Sequence, residues 1–132
     1  MTIFQKKKIN FSDRRGYIRD LFQNSPKDHC SIVTFNKGAV RGNHYHKKST
    51  QYSYLLSGKL TLRYSKVDKN GNIKGKINKK IIGPNILITH KPYEAHAFIA
   101  NKKSLMIAFA DGLRGGKDYE KDTYRLKYKI IK

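Results

Sequence analysis

The chain has 132 residues, 29 of them Lys or Arg against nine Asp or Glu, which gives a formal net charge of +20. The length supports one hydrophobic core and one domain, residues 1–132, and is too short for two. With 38% hydrophobic residues, nine Tyr and six Phe, the composition is that of a globular protein, and no run approaches the roughly 18 consecutive apolar residues of a membrane span.

Such a charge first suggests nucleic acid, since Lys and Arg neutralising phosphate dominate non-specific binding. Only seven of the basic residues are Arg, the Lys residues are spread along the chain, and Lys, Ile and Asn are abundant together, as an AT-rich coding sequence alone would produce. Nucleic acid is therefore not the expected partner. The charge is read as a long-range attraction for small anionic ligands, diphosphates included.

In chain order, the opening "MTIFQKKKINFSDRRG" is basic but no apolar h-region or small-residue cleavage site follows it, so a cytoplasmic protein is expected. "SDRRG" (12–16) is turn chemistry. Cys30, the single cysteine, excludes an intrachain disulfide and a Cys-based zinc site within one chain, and is expected as a small buried hydrophobe. Strand-like runs rich in Ile, Val, Thr, Tyr and Phe then recur: "SIVTF" (31–35), "QYSYLLSGKLTLRYS" (51–65), "KKIIGPNILIT" (79–89), "HAFIA" (96–100) and "SLMIAFA" (104–110). Gly58 in "LSGKL" predicts a tight turn, and Asn70-Gly71 in "VDKNGNIKG" predicts a protruding hairpin. In the tail "GGKDYEKDTYRLKYKIIK" (115–132), Tyr119, Tyr124 and Tyr128 fall close to one face of a helix, so the tail is expected as a short helix on the body or as a strand exchanged with a partner chain. Many strands, turns between them and no long 3.6-residue period predict an all-β sandwich or barrel.

The chemistry concentrates in "RGNHYHKKSTQ" (41–51). Residues i and i+2 of a strand share a face about 6.5–7 Å apart, so His44 and His46 converge. Two inward imidazoles need partners or a function. Gln51 begins the next strand-like run, and "HKPYEAH" supplies His96 after a Pro turn.

The run 38–58, "GAVRGNHYHKKSTQYSYLLSG", resembles the first cupin motif in every spacing, with Gln51 where metal cupins carry Glu. "PYEAHAFIAN" (92–101) is similar to the second, with Pro92 and His96 in place. "SDRRGYIRDLF" (12–22) and "ADGLRGGKDYEKDTY" (110–124) further resemble small cupins that act on nucleotide-linked 4-keto sugars: the sugar 3,4-ketoisomerases, the dTDP-4-dehydrorhamnose 3,5-epimerase-related and WxcM-like proteins, and the cupin domain of capsular polysaccharide epimerases. The resemblance implies a cupin jelly-roll barrel with a short helical or extended tail. It also implies an epimerase or ketoisomerase of a dTDP- or UDP-linked 4-keto-6-deoxy sugar in surface polysaccharide biosynthesis. A homodimer is expected, because such barrels cover edge strands by pairing.

The residues suit that chemistry. A C–H beside a ketone is acidic enough for an imidazole to remove its proton. Return to the other face gives epimerisation, and return to a neighbouring atom gives ketoisomerisation. His46 or His44 is the expected base, with His96 or a tyrosine (Tyr45, Tyr52 or Tyr54) as donor. Arg41 is placed to clamp a phosphate or polarise the enolate oxygen. Gln51, Arg15 with Asp13, Tyr45 and Tyr52 are the remaining candidates for substrate binding. No cofactor is expected. The competing class is a metal cupin in which His44, His46, His96 and Gln51 surround iron, nickel or zinc and act on oxygen or a small acid, although a neutral Gln removes one charge from the ligand set. A third class is a non-catalytic sugar-nucleotide binding module.

Overall fold

The computed structural model describes residues 1–112, 116–118 and 121–132. Its strands are β1 (Ile3–Lys6), β2 (Phe11–Asp13), β3 (Gly16–Ile18), β4 (His29–Phe35), β5 (Val40–Tyr45), β6 (Thr50–Val67), β7 (Ile73–Ile82), β8 (Ile86–His90), β9 (Glu94–Asp111) and β10 (Tyr124–Arg125). All pairings are antiparallel. No helix among the described residues is long and apolar enough to cross a membrane.

Two 18-residue strands organise the barrel. β6 and β9 pair along their whole length, from Thr50 opposite Asp111 to Lys66 opposite Glu94, with register shifts between Leu55 and Leu60. The first half of β6 also pairs β8 and its second half pairs β7. Likewise the first half of β9 pairs β5 and its second half pairs β4. The long strands thus belong to two facing sheets, β1-β8-β6-β9-β4 and β7-β6-β9-β5-β10, which is the cupin jelly-roll arrangement.

Gly58 is the corner of β6, and the predicted tight turn there is corrected to a bulged bend inside one strand. At φ 102° a side chain would be strained, and a Cβ would lie 2.6 Å from Ser104 Cα. Gly58→Ala is expected to cost about 3 kcal/mol, read as a lower urea midpoint with an unchanged slope. The same bend joins "HAFIA" and "SLMIAFA" into the single strand β9. The Asn70-Gly71 expectation holds: β6 and β7 are joined there, with the Asp68 carboxylate accepting the Asn70 and Asn72 N–H groups.

Alternation sets an internal gradient. Inward positions of β6 read Gln51, Ser53, Leu55, and across the ladder Gln51 faces His90 while Ser53 faces Ile88. On β9 they read His96, Phe98, Ala100. The apolar end closes on Phe35, Leu55, Leu60, Leu62, Ile82, Ile88, Phe98 and Met106. The polar end is left for the histidines.

The outer faces are covered by irregular chain. Phe22 stands edge-on to Tyr52 and Phe109, and Lys27 lies over the Phe22 and Tyr52 rings. On the other sheet the C-terminal segment covers Ala95 and Ala97 with Leu126, Ile130 and Ile131. A 3₁₀ turn at Gly116–Asp118 leads into that segment, and β10 pairs with β5 of its own chain, so the tail is extended where a helix was one of the two expectations. Tyr124 stacks on Tyr45, Tyr128 is exposed, and Tyr119 lies outside the described residues. Cys30 is exposed and not buried as expected: on β4 the inward positions are Ser31, Val33 and Phe35, which turns Cys30 outward beside Ile32, 74% exposed.

Candidate active site

All five histidines of the chain gather at one cavity of about 350 Å³ between the sheets. His29, His44 and His96 line it, together with Ser31, Val33, Phe35, Arg41, Gln51, Phe98, Met106 and Arg125. His46 and His90 stand behind that wall, 1% and 0% exposed. Ring centroids are 4.7 Å apart for His44 and His96, 5.1 Å for His44 and His46, and 4.2 Å for His90 and His96.

A bulge in β5 makes this possible. Arg41 is opposite Phe98 and His44 opposite His96, both inward positions, although Arg41 and His44 are three residues apart. The register shift at Gly42–Asn43 absorbs the extra residue. Gly42 has φ 100°, and a Cβ there would sit 2.6 Å from the His96 carbonyl oxygen. Asn43 takes φ 58°, which Asn tolerates, and its side chain ties down the tail: Oδ1 accepts from Ile130 and Ile131 N–H, and Nδ2 donates to the Ile131 carbonyl.

The tail in turn orients His46. Its Nδ1 is 2.7 Å from the Asp122 carbonyl oxygen, which only accepts, so Nδ1 carries a proton and donates. Its Nε2 meets Gln51 Oε1 at 3.2 Å, and the chain of contacts runs on from Gln51 Nε2 to Ser53 Oγ (3.2 Å) and to His90 Nε2 (3.1 Å). Burial, reinforced by the nearby His46, pushes the His90 imidazole down to about 3, so it is neutral at physiological pH. The Asp122 carboxylate accepts from the N–H groups of Lys47, Lys48 and Ser49 at 3.0, 3.0 and 2.7 Å. Burial opposes its ionisation, but these backbone donors outweigh it and hold its pKa below the ordinary value.

The structure brings together His44, His46, His96, Gln51 and Arg41. It does not bring the tyrosines. Tyr52 and Tyr54 alternate with Gln51 and Ser53 and so face the outside of the barrel, where Tyr52 donates to Asp111 Oδ2 (2.8 Å) and Tyr54 to Asn85 Oδ1 (3.0 Å). Burial and the Asp111 contact raise the Tyr52 pKa, which keeps that phenol protonated. Tyr45, between His44 and His46, likewise turns outward and stacks on Tyr93 and Tyr124. Strand parity thus places these three rings outside the chamber lining, away from the histidines they were expected to assist. Arg15 sits at the exposed β2–β3 hairpin, paired with Asp13 at 2.7 Å and outside the chamber lining.

The family profile "polysaccharide biosynthesis C-terminal domain" matches residues 11–110, which carry all five histidines. The chain belongs to this family. No curated protein matches the domain. Its fold is shared with solved sugar-nucleotide enzymes of low identity. The dTDP-4-dehydrorhamnose 3,5-epimerase from Sulfolobus tokodaii is 23% identical over 87% of this chain and 72% of that one, with a TM-score of 0.73. QdtA, a sugar 3,4-ketoisomerase from Thermoanaerobacterium thermosaccharolyticum in complex with TDP, is 19% identical over 96% and 88%, with a TM-score of 0.71. The 3,5-epimerase RmlC from Legionella pneumophila, in complex with dTDP-4-keto-L-rhamnose, is 15% identical over 96% and 73%, with a TM-score of 0.76.

The domain also has a donor set that fits a divalent ion. One ligand atom from each of His44, His46 and His96 lies within 4.8 Å of the others, against about 3.4 Å between nitrogens of a tetrahedral zinc site. About 1 Å of closure would suffice, and the bond from His46 Nδ1 to a backbone carbonyl is the support typical of a metal-bound imidazole. An ion bound there would supply Lewis-acid polarisation of a carbonyl.

Reading the sequence missed His29, His90, Asp122 and Arg125. His90 was accessible to it, because "ILITH" alternates and places His90 on the face of Ile88. His29 likewise shares the face of Ser31 in the same alternation. Asp122 and Arg125 had no signal, since nothing in the tail specifies where it docks.

Proposed function

We propose that the domain is an isomerase that epimerises or ketoisomerises a dTDP- or UDP-linked 4-keto-6-deoxy sugar, in the cytoplasm, for surface polysaccharide biosynthesis. The observation that carries this is a chamber walled by His44 and His96 on one side and Val33, Phe35, Phe98 and Met106 on the other, with Arg41 in its lining and no carboxylate among the described lining residues. The family description and the ligands printed for the similar solved structures support the same substrate class.

His44 takes the proton from the carbon next to the ketone, leaving an enolate. The apolar wall excludes water, which strengthens the attraction between that oxyanion and Arg41. Return of a proton to the opposite face, from a donor on the side away from the His44–His96 wall, gives the epimer. Transfer of the neighbouring hydroxyl proton, with reprotonation at the former carbonyl carbon, gives the ketoisomer. Either way atoms balance and no co-reactant is consumed. His46, engaged at both nitrogens, positions this pair instead of meeting the substrate.

A homodimer is part of this reading: β4 is an edge strand with Ile32 outward, and the β2–β3 hairpin exposes Phe11, Tyr17 and Ile18. Incubation with dTDP- and UDP-4-keto-6-deoxyglucose is expected to yield a new sugar isomer at a rate unchanged by exhaustive dialysis against EDTA. Loss of turnover on dialysis, restored by zinc, iron or nickel, would favour the metal cupin. Tight nucleotide binding without turnover would favour a binding module.

A further inference from the structure

The outer face of the β7-β6-β9-β5 sheet is only partly covered. Leu60 and Leu62 point into the core, so Thr61 and Arg63 of β6 point out, opposite Ile81 and Lys79 of β7 and Ile99 and Ala97 of β9. The C-terminal segment lies over Ala97, while Ile77, Ile81 and Val40 stay 42%, 55% and 38% exposed. An open groove of about 650 Å³ runs beside that segment, lined by Ile77, Ile99 and Ile130 and by Arg63, Lys79 and Lys129.

The charge here has one sign. β5, β6 and β7 contain no Asp or Glu, β9 has them only at its two ends, and none follows Asp122 in the tail. No Asp or Glu stands among the described residues that line the groove. Arg63, Lys79 and Lys129 are exposed and take part in none of the ion pairs among the described residues.

An occupant of this face must be anionic and must also offer apolar surface to the isoleucines. A second copy of the chain, itself at +20, would meet the face with like charge. Nucleic acid matches the cations, but no aromatic ring lines the groove to stack a base, and a phosphate backbone gives exposed isoleucines nothing to pack on. An anionic phospholipid surface supplies both components: headgroup phosphates for the cations and the acyl boundary for the isoleucines. Long Lys and Arg stems lie along apolar surface while their charged ends reach the headgroups.

We infer that this sheet face docks the protein on an anionic phospholipid membrane, with headgroup phosphates on Arg63, Lys79 and Lys129 and with Ile77 and Ile81 against the acyl boundary. The face lies on the outside of the barrel, on the sheet that lacks β4, so neither the isomerase reading nor the proposed dimer edge depends on it.

The test is co-sedimentation of the whole chain with vesicles of phosphatidylcholine, alone or mixed with phosphatidylglycerol, beside thermal unfolding. Wild type is expected to bind only the mixed vesicles, more weakly as salt rises. The double variant Arg63→Glu, Lys79→Glu should weaken binding about 10- to 100-fold, whereas Lys6→Glu, Lys8→Glu, the same charge change on exposed lysines at the other sheet, should weaken it far less. Ile77→Ser with Ile81→Ser should weaken binding several-fold at unchanged salt dependence. Equal loss in the two charge-reversed variants would show adsorption by net charge and overturn the docking face, as would wild type that leaves the mixed vesicles unbound. Binding of duplex DNA that depends on Arg63 and Lys79 while vesicles are ignored would make the face a nucleic-acid surface and overturn the membrane. A change of oligomeric state in Arg63→Glu, Lys79→Glu, read by sedimentation velocity, would make it an interface between copies and overturn the proposal equally.

Discussion

His44→Asn is expected to reduce turnover of the 4-keto sugar by 10²- to 10⁴-fold while the fold survives. His44 is the lining residue directly across the ladder from His96, and Asn keeps a polar side chain of smaller volume but cannot accept a proton at neutral pH. The backbone that presents it is set by Gly42 and Asn43 and not by the imidazole, so the far-ultraviolet circular dichroism and urea midpoint should change little. His46→Asn separates the two roles. It removes a ring held by Asp122 and Gln51, so it should lower stability as well as turnover. Wild-type turnover in His44→Asn would remove His44 from the reaction.

The second large effect is on stability. Asp122→Ala deletes the acceptor of three backbone N–H groups in the turn after His46 and is expected to cost about 2–4 kcal/mol. Asp122 is 7% exposed, so water replaces those bonds poorly. The sign with pH follows from its depressed pKa. Above the unfolded value of about 3.9 the contribution is complete, and it is lost as pH falls through the lower folded value. Urea midpoints measured from pH 2.5 to 7 should therefore show a wild-type acid limb that is shallower in Asp122→Asn. The tail would loosen in either variant, so turnover should fall with stability. An unchanged midpoint for Asp122→Ala would show that the tail does not depend on this carboxylate.

Much of the fold was legible because period-two alternation and turn residues are local signals. The cupin spacing located His44, His46, Gln51 and His96 for the same reason: strand parity and a fixed hairpin length bring His44, Gln51 and His96 to the chamber lining with His46 behind them. Other features depend on what the chain meets elsewhere. Gly58 carries the same φ > 0 signal in a turn and in a bulged corner, and only the partner strand distinguishes them. Tyr52 and Tyr54 lie beside the histidine motif in sequence, but one step of alternation from Gln51 turns them outward. Arg41 shares a face with His44 only through the Gly42–Asn43 bulge, against simple parity. Cys30 looked apolar enough to bury, but an edge strand has an outer face with nothing over it. The docking of Asp122, Arg125 and Ile130–Ile131 is a tertiary event held by Asn43 and Asp122 side chains, and no periodicity encodes it.

Proton NMR of dTDP- and UDP-4-keto-6-deoxyglucose with the protein in D2O tests most directly whether a histidine removes a proton beside the ketone. The expected result is loss of the C3 or C5 proton signal with wild type, at the carbon that reacts, and its persistence with His44→Asn. Retention of both signals with folded wild-type protein that binds the nucleotide, or equal loss with His44→Asn, would contradict proton abstraction by His44.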